Sequence, residues 1–241
     1  MALGGVLGVF LGSGAALFLS MTHGSVHTRS AVANHLDSRT VYFNRRAFAR
    51  LEGGNLARLV KRFQKLTAPE VGEFAYSLNA QGKTTYLVVP PTQSAATPLT
   101  ALALSKSADL GNGTLVIDLF SQLKITCDND AAQTVGGYKV CTTSVGFNIA
   151  TPTTHDVVSP QNFAHSELTK TLQTLKSSYK STIILTKPVD DAGYILKGLQ
   201  KLDPLVISSG KLGNITSGSL QRLNSLLPEG DGTSKRLLFI C

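Results

Sequence analysis

The sequence predicts an α/β protein in which a mostly parallel sheet is flanked by helices and preceded by one transmembrane helix. Residues 86–120 read in the order strand, loop, helix, strand, which is the βαβ unit of a parallel sheet. Strand and helix patterns then alternate to the C-terminus. Residues 1–22 carry no charged side chain, and the apolar run 3–21 is long enough to cross a bilayer as a helix.

The glycines of the apolar N-terminus favour a membrane helix. Gly4, Gly8 and Gly12 recur every four residues, a small-residue face that lets transmembrane helices approach closely. A secretory signal peptide is the alternative interpretation, but no basic residue precedes the apolar run and no clear Ala-x-Ala cleavage site follows it. N-terminal sequencing of the expressed protein distinguishes the two.

The positive charge of the chain is concentrated just after this apolar segment. The formal net charge is +8, and residues 1–66 hold nine Lys or Arg against two acidic residues, a net +7. Residues 67–241 hold 14 basic and 13 acidic residues, a net +1. A nearly neutral domain is not typical of a nucleic-acid-binding protein, so no nucleic-acid partner is predicted. Basic residues beside a membrane helix mark its cytoplasmic side, which predicts a cytoplasmic C-terminal domain.

The predicted domain organisation has three parts: a transmembrane helix over 1–22, a basic juxtamembrane segment over 23–66, and an α/β domain over 67–241. The histidines of the second part have no assured partner, so no metal site is predicted. The chain has three cysteines and no Cys-x-x-Cys pair, and we expect Cys127, Cys141 and Cys241 to be reduced thiols.

Local patterns predict the remaining elements. Thr28 is predicted to cap a short helix that closes by residue 37, and Asp190 or Asp191 to cap a helix that ends near residue 202. The other predicted elements are a strand over 138–142 after the Gly136-Gly137 turn, a Thr/Pro-rich loop over 148–160, a helix over 161–179, a buried strand over 181–186, a strand over 205–208, a helix over 216–227 and an edge strand over 236–240.

The loop over residues 91–100 has the position of a phosphate-binding loop without its chemistry. In a nucleotide-binding α/β protein this loop is glycine-rich and ends in Gly-Lys-Ser/Thr, because close backbone approach and a lysine hold the phosphates. Here the loop has neither glycine nor lysine. The pattern therefore predicts a retained fold and a lost phosphate site.

The order of parts resembles one bacterial protein family. The apolar helix followed by His-Gly-Ser-Val-His-Thr-Arg-Ser-Ala-Val-Ala-Asn-His-Leu (23–36) resembles the second transmembrane helix and following segment of the chain-length determinants, the polysaccharide co-polymerases of exopolysaccharide and capsule export. The rest resembles the tyrosine kinase (BY-kinase) domain fused to many of them, a P-loop NTPase fold of the MinD-like type. The likeness is carried by Ser-Pro-Gln-Asn-Phe-Ala-His-Ser-Glu-Leu (159–168), the helix to Tyr179, the strand 182–184 and Asp191-Ala192.

Departures from the family pattern fall on its phosphate and metal anchors. The resemblance aligns Pro98 with the phosphate-loop lysine and Leu99 or Thr100 with the Mg²⁺-binding hydroxyl, while Thr97-Pro98 still suits a helix start. Asp118 matches the first carboxylate of the family's Asp-x-Asp motif. The second carboxylate is replaced by Phe120, and the metal-directing acid of the next motif by Leu185. Phosphoryl transfer depends on such anchors, so the resemblance implies a degenerate, kinase-like pseudoenzyme.

Three lysines are candidate substitutes for the missing cation. Lys83 lies before the first strand of the βαβ unit, and Lys106 lies about two turns into its helix. Lys187 lies near the carboxyl end of a strand, where ligands bind in such sheets. An exposed loop lysine remains the simpler interpretation of Lys187, as does a structural strand-end carboxylate for Asp118.

Two functions remain open at this point. The first is a noncatalytic, membrane-anchored module of exopolysaccharide or capsule biosynthesis, with no cofactor and no catalytic residue, located at the bacterial inner membrane. It would regulate chain length by scaffolding, with its own copies, the polymerase and export proteins and the lipid bilayer as partners. The second is a divergent tyrosine kinase or partition-type ATPase that still binds Mg-ATP.

The resemblance also implies parts that this sequence does not contain. The family has a first membrane helix and an extracytoplasmic domain before the segment that matches residues 1–36. We therefore expect the chain to correspond to the second half of a family member.

Overall fold

The computed structural model describes residues 12–13, 24–28, 30–32, 39–42, 82, 84–92, 101, 113–123, 132–143, 147–154, 167–210, 212–226 and 236–240. The strands of this part are β1 (Arg39–Tyr42), β2 (Thr85–Val88), β3 (Thr114–Asp118), β4 (Gln133–Val135), β5 (Tyr138–Thr142), β6 (Asn148–Pro152), β7 (Ser181–Leu185), β8 (Leu205–Gly210) and β9 (Arg236–Ile240). Its helices of more than one turn are α1 (Glu167–Ser177), α2 (Val189–Leu199) and α3 (Ser217–Leu226), with a 3₁₀ turn over Gln200–Leu202.

These strands form one mostly parallel sheet, as the sequence predicts. Their order is β1-β9-β8-β2-β7-β3-β6-β5-β4. Along this order, every pair of neighbouring strands from β1 to β6 is parallel. The β4–β5 hairpin is antiparallel, and β5 joins the sheet by pairing antiparallel with β6. The two strands of the predicted βαβ unit, β2 and β3, lie in the same sheet with β7 between them. The carboxyl ends of β2, β7 and β3 therefore meet at one edge.

The central strands are mostly apolar because their residues are buried on both faces of the sheet. Every residue of β2, β3 and β7 is buried. Alternate residues such as Leu87 and Ile184 join one core cluster, while their neighbours Val88 and Leu185 are buried on the opposite face. Such strands read as continuous apolar runs, which is why the sequence reveals them.

Three helices pack on the face of the sheet that carries Leu87. Helix α1 contributes an apolar stripe of Leu168, Leu172 and Leu175, all of which are buried in the core cluster. Helix α2 contributes five buried residues and α3 three, listed as Val189, Ala192, Ile195, Leu196 and Leu199, then Ser219, Leu220 and Leu223. Residues 161–166, the first part of the predicted α1 helix, lie outside the described residues.

The Thr/Pro-rich segment predicted as a loop begins with a strand. Asn148–Pro152 forms β6, which pairs parallel with β3 and antiparallel with β5. Its polar composition hides the strand, yet Ile149 and Ala150 are fully buried between the two neighbours. The prediction was wrong because pairing partners supply the burial that composition does not indicate.

The C-terminal strand is not an edge strand. Arg236–Ile240 is paired on one side with β8 and on the other with β1, a strand that the sequence analysis did not identify. Arg39–Tyr42 alone gives too short a signal for a strand. Because β1 belongs to this sheet, part of the segment over 23–66 contributes directly to the α/β fold.

The predicted start of α2 is also corrected. Pro188 occupies the N-cap position and no side chain caps the helix. Asp190 and Asp191 lie in the first turn, where their negative charges still suit the positive end of the helix dipole. The Pro90 carbonyl accepts the Val189 N–H at 3.1 Å and the Pro188 carbonyl accepts the Asp191 N–H at 2.9 Å, so these first-turn donors are satisfied without a side-chain cap.

The expectation of three reduced thiols is wrong, because a disulfide takes up two cysteines. Cys141, in β5, is disulfide-bonded. The other cysteines, Cys127 and Cys241, lie outside the described residues. Two cysteines without Cys-x-x-Cys spacing give no local sequence signal of a disulfide, because only the folded chain brings them together.

Several predictions concern residues that the structure does not describe. Apart from Gly12 and Ser13, which are helical, the predicted membrane helix over 1–22 lies outside the described residues, as do residues 43–81. Within the described ranges, no helix is both long enough and apolar enough to span a bilayer. The predicted helix start at Thr28 is described, and Thr28 Oγ1 accepts a hydrogen bond from the Ala31 N–H at 3.2 Å.

Candidate functional site

The candidate site lies at the carboxyl edge of the sheet, where the loops after β2, β3 and β7 meet. Ligands of open parallel sheets bind at this edge, outside the ends of the strands. The three loops comprise residues 89–92, 119–123 and 186–188. Of the predicted site residues, the structure describes Asp118, Phe120, Leu185 and Lys187 in or beside these loops.

The loop after β2 is described only at its beginning. Thr97, Pro98, Leu99 and Thr100, aligned with the phosphate loop, lie outside the described residues, as do Lys83 and Lys106. The beginning of the loop is firmly attached. The Pro90 carbonyl accepts the Val189 N–H at 3.1 Å, and Thr92 Oγ1 donates to the Asn214 carbonyl at 2.9 Å.

Asp118 ends β3 and its carboxylate is fully buried. Its Oδ2 accepts the Leu123 N–H at 2.7 Å, and its Oδ1 accepts the Phe120 N–H at 3.4 Å. The Ser121 N–H donates to the Asp118 main-chain oxygen at 3.3 Å, and Ser121 has φ +53°. Both carboxylate oxygens are therefore directed at the chain's own turn over residues 119–123.

The electrostatics of Asp118 reflect two opposed effects. Burial raises the pKa of its carboxyl above the ordinary value of 3.8, while the backbone N–H groups of Leu123, Gln122 and Phe120 act to lower it. The net direction is upward, so burial is the larger effect. The ionised form of this buried carboxylate destabilises the folded state, and its hydrogen bonds to the turn partly offset that destabilisation.

The neighbouring acidic positions of the resembled family are apolar here. Leu185 lies in register beside Asp118 and is fully buried, and its carbonyl accepts the Leu119 N–H at 3.4 Å. Phe120 is half-buried at the start of the turn. Neither side chain can bind a cation through oxygen, the ligand that Mg²⁺ prefers.

Lys187 contacts an aromatic ring at this edge. Its Nζ lies 4.6 Å from the centroid of the Phe120 ring, within the range of a cation–π interaction. Lys187 is exposed and directly follows Thr186, the buried first residue of the loop after β7. The ammonium group therefore stands over the ring of the residue that the resemblance aligns with a carboxylate.

Two residues that the sequence analysis did not identify connect the three loops. Gln122 Nε2 donates to the Thr186 carbonyl at 2.9 Å. The buried Thr186 hydroxyl is 3.1 Å from the Val88 carbonyl and 3.0 Å from the Lys187 carbonyl. In the sequence, these two residues are distinguished only by their position just after a strand, and many other polar residues occupy such positions.

The described residues offer few ligands for a metal or cofactor. Within this part of the chain, no three His, Cys, Asp or Glu side chains gather as a metal site would require. Asp118 is committed to its turn, and Lys187 is the cation nearest to it in the loops described above. The arrangement can hold three loops rigidly together, and its one outward charge is an ammonium group.

Comparison of folds identifies similar solved structures. The tyrosine kinase domain of BceF matches with a TM-score of 0.54 at 14% identity, covering 89% of this chain and 98% of that domain. The chimerical protein CapA2B2 matches with a TM-score of 0.57 at 13% identity, covering 88% and 98%. The kinase domain of the Escherichia coli tyrosine kinase ETK matches with a TM-score of 0.56 at 14% identity, covering 84% and 89%.

These likenesses establish the fold. The chain has the fold of tyrosine kinase domains, as its resemblance implies, and at such identities the fold alone is shared. No protein-family model and no curated protein matches the sequence.

Proposed function

We propose, from the fold that this chain shares with tyrosine kinase domains, that it is a noncatalytic module of an exopolysaccharide or capsule biosynthesis and export system. It is anchored in the inner membrane by residues 1–22, with the α/β domain in the cytoplasm. It regulates chain length as a scaffold. Its partners are further copies of itself, the polymerase and export proteins, and the lipid bilayer.

The observation that carries this proposal is the pairing of Asp118 with Leu185. In a phosphoryl-transfer site, acidic side chains at such strand ends hold Mg²⁺, which neutralises the phosphates. Here Leu185 is apolar and fully buried, and the Asp118 oxygens accept hydrogen bonds from their own turn. These two groups favour a noncatalytic module, so the proposal assigns no catalytic residue and no cofactor.

A second candidate function is a divergent tyrosine kinase or partition-type ATPase that binds Mg-ATP. Lys187 favours it, because an exposed ammonium at the carboxyl edge of the sheet can contact phosphate. Its contact with the Phe120 ring argues for the scaffold, since the ammonium already has a partner that is not a phosphate.

Calorimetric titration of the full chain in detergent with Mg-ATP separates the two functions. We use the full chain because β1 lies before residue 67, so a 67–241 fragment would lack a strand of the sheet. The scaffold predicts no binding at micromolar nucleotide. A micromolar Kd that is weakened at least tenfold by Lys187→Ala would establish the second function instead.

The scaffolding part of the proposal has its own test. Sedimentation velocity of the full chain in detergent is expected to show a defined oligomer, because a scaffold of this kind acts through contacts between its copies. A strictly monomeric protein over the micromolar range would contradict self-association, whatever the nucleotide titration shows.

A further inference from the structure

The segment just after the predicted membrane helix is fixed to the turn that follows β8. The Val26 N–H donates to the Ile215 carbonyl at 2.7 Å, and the Gly213 N–H donates to the Val26 carbonyl at 2.8 Å. The Ser217 N–H donates to the Gly24 carbonyl at 2.9 Å. Residues 24–28 therefore run beside residues 213–217 as a short antiparallel pair, with a β-bridge between Ser25 and Thr216.

Buried side chains hold this segment on the domain. Val26 and Val32 both belong to the main core cluster, and Val32 is fully buried. The His27 ring lies against Gly213, where an added Cβ would be 3.4 Å from Nδ1. The chain therefore enters the domain at a fixed point, and Gly24 is the first residue of that attachment.

The entry point lies at the same edge of the sheet as the candidate site. Residues 211–216 follow the carboxyl end of β8, which is parallel to β2, β7 and β3. The turn also contacts the loop after β2, because Thr92 Oγ1 donates to the Asn214 carbonyl at 2.9 Å. Gly24, Asn214 and the loops of the candidate site thus share the carboxyl edge.

The distance from this entry point to the bilayer is short. The predicted membrane helix ends at residue 22, and a trans chain spans at most about 3.6 Å per residue, so Gly24 lies within roughly 7 Å of that end. The headgroup layer on each side of a bilayer is about 5–7 Å thick, from a total of 40–45 Å around a 30 Å hydrocarbon core. In the proposed anchored state, Gly24 therefore lies no farther from the hydrocarbon core than about the outer boundary of the headgroups.

We infer that the carboxyl edge of the sheet faces the bilayer and contacts its headgroups, with Asn214 on the membrane side. The opposite edge, marked by the exposed Lys201 before β8, points away from the membrane. Strands of five or six residues place the two edges about 17–20 Å apart. This inference rests on the proposed membrane anchor and adds an orientation to it.

The orientation restricts what can reach the candidate site. A large soluble protein cannot dock end-on at an edge that lies on the headgroups. Access remains for small molecules, for lipid headgroups and for the cytoplasmic parts of neighbouring membrane proteins. The partners of this edge are therefore found in or at the membrane.

Depth-dependent quenching in liposomes tests the orientation. The full chain is reconstituted with a fluorescent noncanonical amino acid at Asn214 or, as matched control, at Lys201; both positions are exposed. The quencher is a lipid that carries a nitroxide on its headgroup. We expect at least threefold stronger quenching at 214 than at 201. Equal quenching, or stronger quenching at 201, would overturn the inference.

Flotation of the same liposomes tests the membrane anchor separately from the orientation of the domain. A chain that does not float with the liposomes overturns the membrane anchor and the orientation together. A chain that floats but shows equal quenching at both positions overturns the orientation alone. Thermal unfolding curves that match the unlabelled chain confirm that each labelled protein is folded.

A longer tether tests the cause of the orientation. Ten Gly/Ser residues inserted after Thr22 lengthen the connection without changing the residues that attach to the turn. We expect flotation to persist and the quenching at 214 to fall toward that at 201. Unchanged quenching at 214 would overturn the short tether as the cause.

Discussion

Lys187 and Phe120 face each other across the carboxyl edge of the sheet, with the ammonium nitrogen 4.6 Å from the ring centroid. The two residues follow adjacent parallel strands, β7 and β3. The negative face of the ring gives the Lys187 ammonium group an electronegative partner at this edge.

We predict a measurable coupling between these two side chains. The variants Phe120→Leu and Lys187→Met and their double mutant form a cycle whose coupling free energy should be about 0.5–1 kcal/mol, the value of a cation–π pair at an exposed site. Urea unfolding of the four proteins measures it. Additive effects of the two substitutions would show that the contact does not stabilise the fold.

The stability contributed by Asp118 should depend on pH. Burial raises the pKa of the folded carboxyl above the unfolded value of 3.8, so the folded state binds more protons between these two values. This contribution is therefore fully present below pH 3.8 and is lost as the pH rises through the folded pKa. The Asp118→Asn variant does not titrate at this position and is the reference.

Chemical unfolding of both proteins from about pH 3.5 to pH 7 measures the effect. The stability of the native chain relative to Asp118→Asn should increase on acidification. A relative stability that decreases on acidification would mean that the hydrogen bonds from Leu123 and Phe120 outweigh burial.

Thr182 in β7 and Thr186 in the loop after it are both buried, but replacing each by valine should change the free energy of unfolding in opposite directions. Within the described part of the chain, the buried Thr182 Oγ1 has no hydrogen-bond partner, whereas the Thr186 hydroxyl lies within hydrogen-bonding distance of two carbonyl oxygens. Thr182→Val should raise the free energy of unfolding by up to about 1 kcal/mol, and Thr186→Val should lower it by about 1–2 kcal/mol.

Each valine variant is the control for the other, because both keep a β-branched side chain of similar volume. Urea unfolding at one pH is sufficient. Equal losses for the two would indicate that the Thr182 hydroxyl has a partner, such as a buried water.

The attachment of residues 24–32 should contribute to the stability of the whole domain. Val26 is 4% exposed and packs in the core cluster, so Val26→Ala should cost about 1–3 kcal/mol. His27→Ala, at the exposed neighbouring position, should change stability by less than about 0.5 kcal/mol. If Val26→Ala were as mild as His27→Ala, the segment would be dispensable for folding.

The predictable part of the fold is the part in which sequence pattern and burial coincide. The continuous apolar runs of β2, β3 and β7 were predicted, since a strand buried on both faces needs them. The strand over Asn148–Pro152 was not, because its burial comes from β3 and β5. The pairing of Arg39–Tyr42 with the last strand depends on residues about 200 positions apart, which no local pattern encodes.

The candidate site was predictable in position and less so in detail. The resemblance identifies Asp118, Phe120 and Leu185 from the sequence alone. The ring contact of Lys187 could not be predicted, because it depends on the register between two strands. The turn that binds the Asp118 carboxylate depends on the positive φ of Ser121, a residue with no strong preference for that conformation.

The place of β9 between β1 and β8 has a consequence for synthesis of the protein. Arg39–Tyr42 is translated about 200 residues before its pairing partner, Arg236–Ile240. Until β9 is synthesised, β1 has no neighbour from this sheet and one side of β8 is unpaired. Their free backbone N–H and C=O groups can then pair with the wrong strands. A chain that lacks β9 would lose both contacts at once.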